Sequence, residues 1–291
     1  MVPAGGPRRL PPAERVRSRL RAVAGEDVAA RLPAGYQRMG RVLLLRLSEE
    51  LRPQFPVIGS AWQEELGVVT VLVRTGPIAG EYRSPQVEVI AGGPTETEVV
   101  EHGVRWRFDA ARLMFAAGNR TERRRIGVLV RPGETMVDLF AGIGYFAIPA
   151  ARSGPSTRVR AVEKNPVAFG YLTENLRLNG VADRVEAILG DNREVPLPTG
   201  VADRVVLGFL PSAIPWVERA VGLVRAEGGW LHVHTTADAR SARKDAARAV
   251  EQAVTRAGAR SLEPAAAREV KPYGPGRTHV VVDVRVARSP A

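Results

Sequence analysis

Three acids and two glycines lie where a nucleoside-binding edge would need them. Asp138 falls within an apolar run at 135–140, just before the turn Ala141-Gly142-Ile143-Gly144. Glu163 follows a second run at 158–162, and Asp191 with Asn192 follows a third at 185–189. Gly142 and Gly144 let the backbone bend tightly and approach a ligand at the start of a helix. A carboxylate after the second strand suits ribose hydroxyls, and a carboxylate beside an amide suits the amino edge of adenine. The pattern lacks the third glycine of a dinucleotide turn, because position 147 is Ala. Pyrophosphate is therefore poorly served, and a nucleoside with a short tail, S-adenosylmethionine, is expected ahead of NAD. A domain that binds nothing would leave three strand-end acids unexplained.

The elements that must position these residues follow from the pattern around them. From residue 134 onward, strands at 135–140, 158–162, 185–189, 204–210 and 230–234 alternate with helices at 145–152, 166–178, 214–225 and 239–257. That alternation predicts an α/β fold on a parallel sheet, with ligands at the carboxyl ends of the strands. Closing strands at 267–271 and 279–286 flank a Tyr273-Gly274-Pro275-Gly276 turn. Upstream, short strands at 40–47, 68–74 and 87–90 are punctuated by glycine and proline, and a helix at 121–130 leads onward. The expected organisation is a basic extension over 1–33, helical from 12 to 24, a small α+β domain over 34–110, and a Rossmann-like domain over 111–291.

Composition narrows the class. The net charge is +11, and Arg8, Arg9, Arg15, Arg17, Arg19, Arg21 and Arg31 crowd the first segment against only Glu14, Glu26 and Asp27. Such a surplus fits a nucleic-acid partner, or merely an arginine-rich composition; the arm itself reads equally as a tRNA-backbone contact or a solvated tail. There is no cysteine, hence no disulfide or thiolate site. No apolar run reaches the roughly 18 residues of a membrane span, so a cytoplasmic monomer is the default expectation. His232 and His234 alternate on one strand and face one side. With His279 as the one tempting further ligand, a buried hydrogen-bonded pair is expected there, and no metal.

The segments VDLFAGIGYFAIPAA, AVEKNPVAFGYLTENLRLNGV, GDNRE, ADRVVLGFLPS and GGWLHVH together resemble the tRNA wybutosine-synthesising aminocarboxypropyltransferases. The sister group is the tRNA guanosine-37 N1-methyltransferases. The likeness runs from about residue 35 to 286. It includes IAGEYRSPQVEVIAGG and HGVRWRFDAARLMFAAGNRTERRRI upstream, and VKPYGPGRTHVVVDV near the end. The methyltransferases carry Phe-Ser-Pro-Arg-Leu, with a catalytic arginine, where this chain has Phe115-Ala116-Ala117-Gly118-Asn119. They carry an Asn-Leu-Pro or Asn-Pro-Pro motif where this chain has Gly208-Phe209-Leu210-Pro211. Gly190-Asp191-Asn192-Arg193 also matches the aminocarboxypropyl branch. Ala116 stands where the family commonly has a cofactor-contacting serine, a loss of about 0.5–1.5 kcal/mol.

The resemblance implies a Rossmann-like class I S-adenosylmethionine-dependent transferase fold with a small N-terminal α+β domain. It implies transfer of the 3-amino-3-carboxypropyl group to 4-demethylwyosine at position 37 of tRNA, releasing methylthioadenosine. The expected cofactor set is Ala116, Arg123, Asp138, Gly142, Gly144, Glu163, Asp191, Asn192 and Gly208, with Arg123 on the carboxylate of the methionine part. Asn119 and Arg123 are the expected catalytic residues, and Phe209, Leu210 and Pro211 line the base pocket or simply pack. Sulfonium is already a good leaving group, so catalysis amounts to choosing which carbon faces the nucleophile. The alternatives are the sister methyltransferase and a non-catalytic nucleic-acid-binding protein with a relic cofactor fold.

Overall fold

The computed structural model describes residues 10–288; Arg8 and Arg9 of the basic arm lie outside them. The chain divides into two compact units. One runs to Val100 and includes Arg107–Phe115; the other comprises Glu101–Trp106 and everything from Ala116 onward.

The first unit begins with α1 (Pro12–Ala24) and α2 (Glu26–Ala30). Its strands are β1 (Gln37–Met39), β2 (Val42–Leu45), β3 (Thr70–Arg74) and β4 (Val87–Ala91), paired in that order, with helix α3 (Phe55–Leu66) as the crossover between the parallel β2 and β3. Strands β5 (Glu96–Glu101) and β6 (Val104–Asp109) form a separate hairpin, turned at His102 and Gly103, both of positive φ. The sequence separates residues 1–33 from the small domain. In the structure, α1 buries Ala13, Val16 and Leu20 in the same cluster as Leu43, Leu45, Ile58, Trp62 and Val71. The reason is the helical spacing of those apolar residues, which gives α1 one buried stripe. Tertiary structure also supplies acids that the local count missed: Arg15 pairs with Glu65, Arg19 with Glu64 and Arg31 with Glu50. Much of the arm's charge is thereby matched within its own unit.

The second unit holds α4 (Arg120–Leu129), β7 (Thr135–Asp138), α5 (Ala147–Ala151), β8 (Arg158–Glu163), α6 (Pro166–Leu178), β9 (Val185–Leu189), β10 (Arg204–Leu207), α7 (Val217–Leu223), β11 (Gly229–Asp238), α8 (Ala242–Arg256), β12 (Ala259–Ser261), β13 (Ala266–Gly274) and β14 (Arg277–Arg288). The sheet order is β12-β14-β11-β10-β7-β8-β9, with β13 also pairing β14. Strands β11, β10, β7, β8 and β9 are parallel, and β14 runs antiparallel to β11. Val205, Leu207, Leu231, Val233, Val280 and Val282 form the core with Val217 and Val221 of α7 and Val250 and Val254 of α8. Each such side chain contributes about 1.5–3 kcal/mol on burial, which makes this sheet a rigid platform.

Candidate active site

The strand order places the ends of β7, β8, β9 and β10 side by side, and each expected strand-end residue sits there. Asp138 is fully buried at the end of β7. Its Oδ1 accepts from the Phe140 amide at 3.2 Å, while Oδ2 has no partner among the described residues. Burial, opposed by backbone hydrogen bonds from Phe140 and Ala147 and aided by the nearby Glu163 charge, pushes the carboxyl up to about 7. Gly142 and Gly144 both have positive φ, which the turn requires of glycine. The buried amide of Asn175 on α6 donates to the Ile143 carbonyl at 3.1 Å and pins the turn from behind.

Glu163 is half-buried at the end of β8. Its Oε2 accepts from the Gly142 amide and its Oε1 from the Asn165 amide, both at 2.7 Å. Burial raises its pKa against those bonds. The Lys164 amide also bonds this carboxylate, and a carboxylate has about four acceptor positions, so some acceptor capacity remains for a ligand. Asn165 in turn caps α6 by accepting from Val167 at 2.9 Å, ahead of Pro166 at the first helical position. The sequence Glu-Lys-Asn-Pro thus folds the acid and the helix start as one piece.

Beyond β9, Asp191 accepts from Lys164 at 2.7 Å and from the Arg193 guanidinium at 2.6 Å. Arg193, then Lys164, hold its carboxyl well below the usual range against the opposing push of burial. Asn192 is buried and donates Nδ2 to the Leu139 carbonyl at 2.7 Å, while its Oδ1 has no donor among the described residues. Arg219 of α7 fixes this turn through the carbonyls of Asn192 and Val195.

After β10, Gly208 admits the Phe146 ring, since a Cβ there would lie 2.8 Å from Cε2. Phe209 stacks on Phe140 with centroids 5.1 Å apart and packs against Trp216 at 5.3 Å. The Leu210–Pro211 peptide is cis. Trp216, whose buried Nε1 has no partner among the described residues, is not a sequence candidate; its signal is only a tryptophan soon after the fourth strand's end.

The segment 116–119 forms the approach to α4. Asn119 Oδ1 is a buried acceptor without a donor among the described residues. Arg123 is 2% exposed. Its guanidinium donates to the Glu101 carboxylate at 2.6 and 3.1 Å and to the Ala116 carbonyl at 3.0 Å, and lies over the rings of Trp106 and Tyr145. The sequence expects this arginine to grip the cofactor's carboxylate; in the structure a carboxylate already occupies its fork, that of Glu101. Nothing local predicts that pairing, which joins residues 22 apart.

His232 and His234, expected as one hydrogen-bonded pair, bond different partners instead. His232 bonds Asp283 at 2.6 Å, and His234 bonds His279 at 3.0 Å. Asp283 also receives Arg125 and Arg268. Against burial, His232 and these arginines hold the Asp283 carboxyl low. Burial depresses all three ring pKa values, those of His234 and His279 to about 3, so both are neutral. Each histidine's nearest polar neighbour is thus part of the scaffold.

Three buried oxygens without a partner among the described residues, Asp138 Oδ2, Asn192 Oδ1 and Asn119 Oδ1, lie at the β7 end, after the β9 end and in the 116–119 segment. Buried polar groups are normally paired, so this set fits a ligand rich in donors, as a nucleoside with an amino-acid tail is. A family profile described as the TRM5/TYW2 methyltransferase domain matches residues 97–262, and one described as the TYW2 N-terminal domain matches residues 16–95. The chain belongs to the TRM5/TYW2 family. The tRNA(Phe) (4-demethylwyosine(37)-C(7)) aminocarboxypropyltransferase of Pyrococcus horikoshii is 36% identical over 94% of this chain and 97% of its own. The crystal structure of P. horikoshii TYW2 in complex with MeSAdo is similar at 33% identity, TM-score 0.82, covering 95% of this chain and all of that one. M. jannaschii TYW2 in complex with AdoMet is similar at 30% identity and TM-score 0.70, covering 88% of this chain and all of that one. Within the TRM5/TYW2 family the sheet is therefore the Rossmann-like S-adenosylmethionine-dependent transferase fold.

Proposed function

We propose that this chain transfers the 3-amino-3-carboxypropyl group of S-adenosylmethionine to 4-demethylwyosine at position 37 of tRNA, releasing methylthioadenosine. The observation that carries this reading is the likeness to the P. horikoshii aminocarboxypropyltransferase over nearly the whole of both chains. The N-terminal match to the TYW2 domain supports the same branch.

S-adenosylmethionine brings carbons already bonded to a sulfonium leaving group. In the transfer, the acceptor carbon bonds the γ-carbon of the methionine part, and the carbon–sulfur electron pair goes to sulfur. The acceptor's proton leaves to solvent. The residues of this chain act by holding and orienting. Glu163 uses its remaining acceptor positions on the ribose hydroxyls. Asp191 and Asn192 read the amino edge of adenine, with Asn192 Oδ1 as an acceptor lacking a donor. Gly142 and Gly144 give the turn the positive φ it needs and Gly208 admits the Phe146 ring, so the three glycines shape the backbone that faces the ligand, and Asp138 braces the turn through Phe140. Arg123 carries the Ala116 carbonyl and so positions the segment that bears Asn119. Phe209, Leu210 and Pro211, backed by Phe140 and Trp216, offer the tricyclic base a flat apolar wall.

The deciding experiment supplies cofactor labelled in either the methyl or the carboxyl group, together with tRNA carrying 4-demethylwyosine. Carboxyl label in the tRNA with methylthioadenosine released is the expected result. Methyl label in the tRNA with S-adenosylhomocysteine released overturns it.

A further inference from the structure

Tracing contacts from the ribose end of the site leads to a cation that the residues named so far do not explain. Glu163 holds the Gly142 amide. A Cβ on Gly142 would lie 2.9 Å from the Tyr145 ring, and that ring lies 5.5 Å from the Arg123 guanidinium carbon. Beyond Arg123 lies Lys271 of β13. A Cβ on Gly118 would lie 2.7 Å from Lys271 Cδ and 3.1 Å from its Nζ, so the lysine runs along the face of Gly118 that any side chain would fill. Gly118 directly precedes Asn119, whose Oδ1 is an unpaired acceptor.

Among the described residues no acid pairs with Lys271. Burial, then the Arg123 charge, lower its pKa. Its cross-strand neighbour is His279, which bonds His234 and is neutral. The nearby acids are committed elsewhere: Glu101 to Arg123, and Glu122 to Arg125. A half-buried ammonium beside a buried guanidinium is an unfavourable arrangement until an anion joins it. Arg123 is matched by Glu101; Lys271 is matched by nothing among the described residues.

We propose that Lys271, admitted by Gly118, binds the carboxylate of the aminocarboxypropyl arm of S-adenosylmethionine. This rests on the transfer reading above and assigns the tail-end cation to β13 rather than α4. The nucleoside is held at the ends of β7, β8 and β9, and the arm extends past Tyr145 and Arg123 to the lysine. Holding both ends of the ligand leaves the sulfonium and its γ-carbon between them, where orientation decides the transferred group. Arg123 then acts as a positioning residue, stacking between Trp106 and Tyr145 and supporting the 116–119 segment.

The test compares S-adenosylmethionine with methylthioadenosine, which shares the nucleoside and lacks the carboxylate, by calorimetry on the full chain. Lys271→Met is expected to weaken S-adenosylmethionine about 10- to 100-fold and methylthioadenosine less than about twofold, as for a lost charge-assisted bond. Lys271→Arg is expected to recover part of the loss. Gly118→Ala, which leaves the charge in place but obstructs its path, is expected to show the same split at a smaller factor. Equal weakening of both ligands, or no weakening of either, overturns the proposal. So does a loss confined to tRNA affinity, which would make Lys271 a phosphate contact. Failure of the transfer reading is separable: wild-type protein that places methyl label in tRNA sinks that reading while the two-ligand split still reports on the lysine.

Discussion

Two buried polar regions of the second unit differ in how complete they are. Around Asp283, the carboxylate collects His232, Arg125 and Arg268. At the strand ends and the 116–119 segment, Asp138, Asn192 and Asn119 each keep an oxygen without a donor among the described residues. Both regions cost desolvation to build. The first recovers most of it within the chain, with only Arg268 Nε lacking a partner among the described residues of that cluster, and ties α4 to β14. The second leaves part of its bonding for a ligand. Among the described residues the unpartnered buried side-chain oxygens belong to the candidate site, whereas those left over elsewhere are nitrogens, such as Trp62 Nε1, His234 Nε2 and Arg268 Nε.

The comparison breaks most visibly if the completed region proves dispensable. Asp283→Ala leaves two arginines without their shared carboxylate and is expected to lower stability by about 3–5 kcal/mol, measured by urea unfolding. Any folded fraction should still bind methylthioadenosine as the wild type does. Stability within about 0.5 kcal/mol of wild type would end the scaffold assignment. On the unfinished side, Asp191→Ala is expected to weaken S-adenosylmethionine and methylthioadenosine alike, about 10- to 100-fold, by calorimetry. Unchanged affinity would remove Asp191 from the adenine edge.

Asp138 sharpens the contrast through pH. Its carboxyl titrates at about 7 when folded against 3.8 in the unfolded reference. The folded state therefore binds the extra proton between those values. Its stability contribution is complete below about pH 4 and is lost as pH rises to about 7. Asp138→Asn is expected to flatten that part of the stability–pH curve; a slope equal to wild type's contradicts the assignment. The smallest effect concerns Arg193, an exposed partner of Asp191. Since Lys164 also holds that carboxylate, Arg193→Ala is expected to change cofactor affinity by less than about threefold, read in the same calorimetric titration.

Much of the fold was legible in the chain because it is written locally. Pro166–Leu178 and Val185–Leu189 begin and end where the sequence predicts, since a capped proline start and a short β-branched run carry their own boundaries. Helix α3 escaped notice because Gly59 and Pro56 interrupt its apolar spacing, and only packing of Phe55, Ile58 and Trp62 makes it a helix. The first segment looked like a separate arm because its partners Glu50, Glu64 and Glu65 lie far along the chain.

The same division runs through the site. Asp138, Gly142, Gly144, Glu163, Asp191 and Asn192 could be named from the sequence because each stands at the end of a strand, where an open parallel sheet collects ligand contacts. Their strand order needs no distant information beyond the alternation of helix and strand. The tail end is different. The bond from Arg123 to Glu101, the stacking of Phe140, Phe209 and Trp216, and the approach of Lys271 to Gly118 all join residues whose spacing carries no period. Local patterning determines what each strand offers at its end. Only the packed chain decides which charges are already paired, and so which remain to meet a ligand.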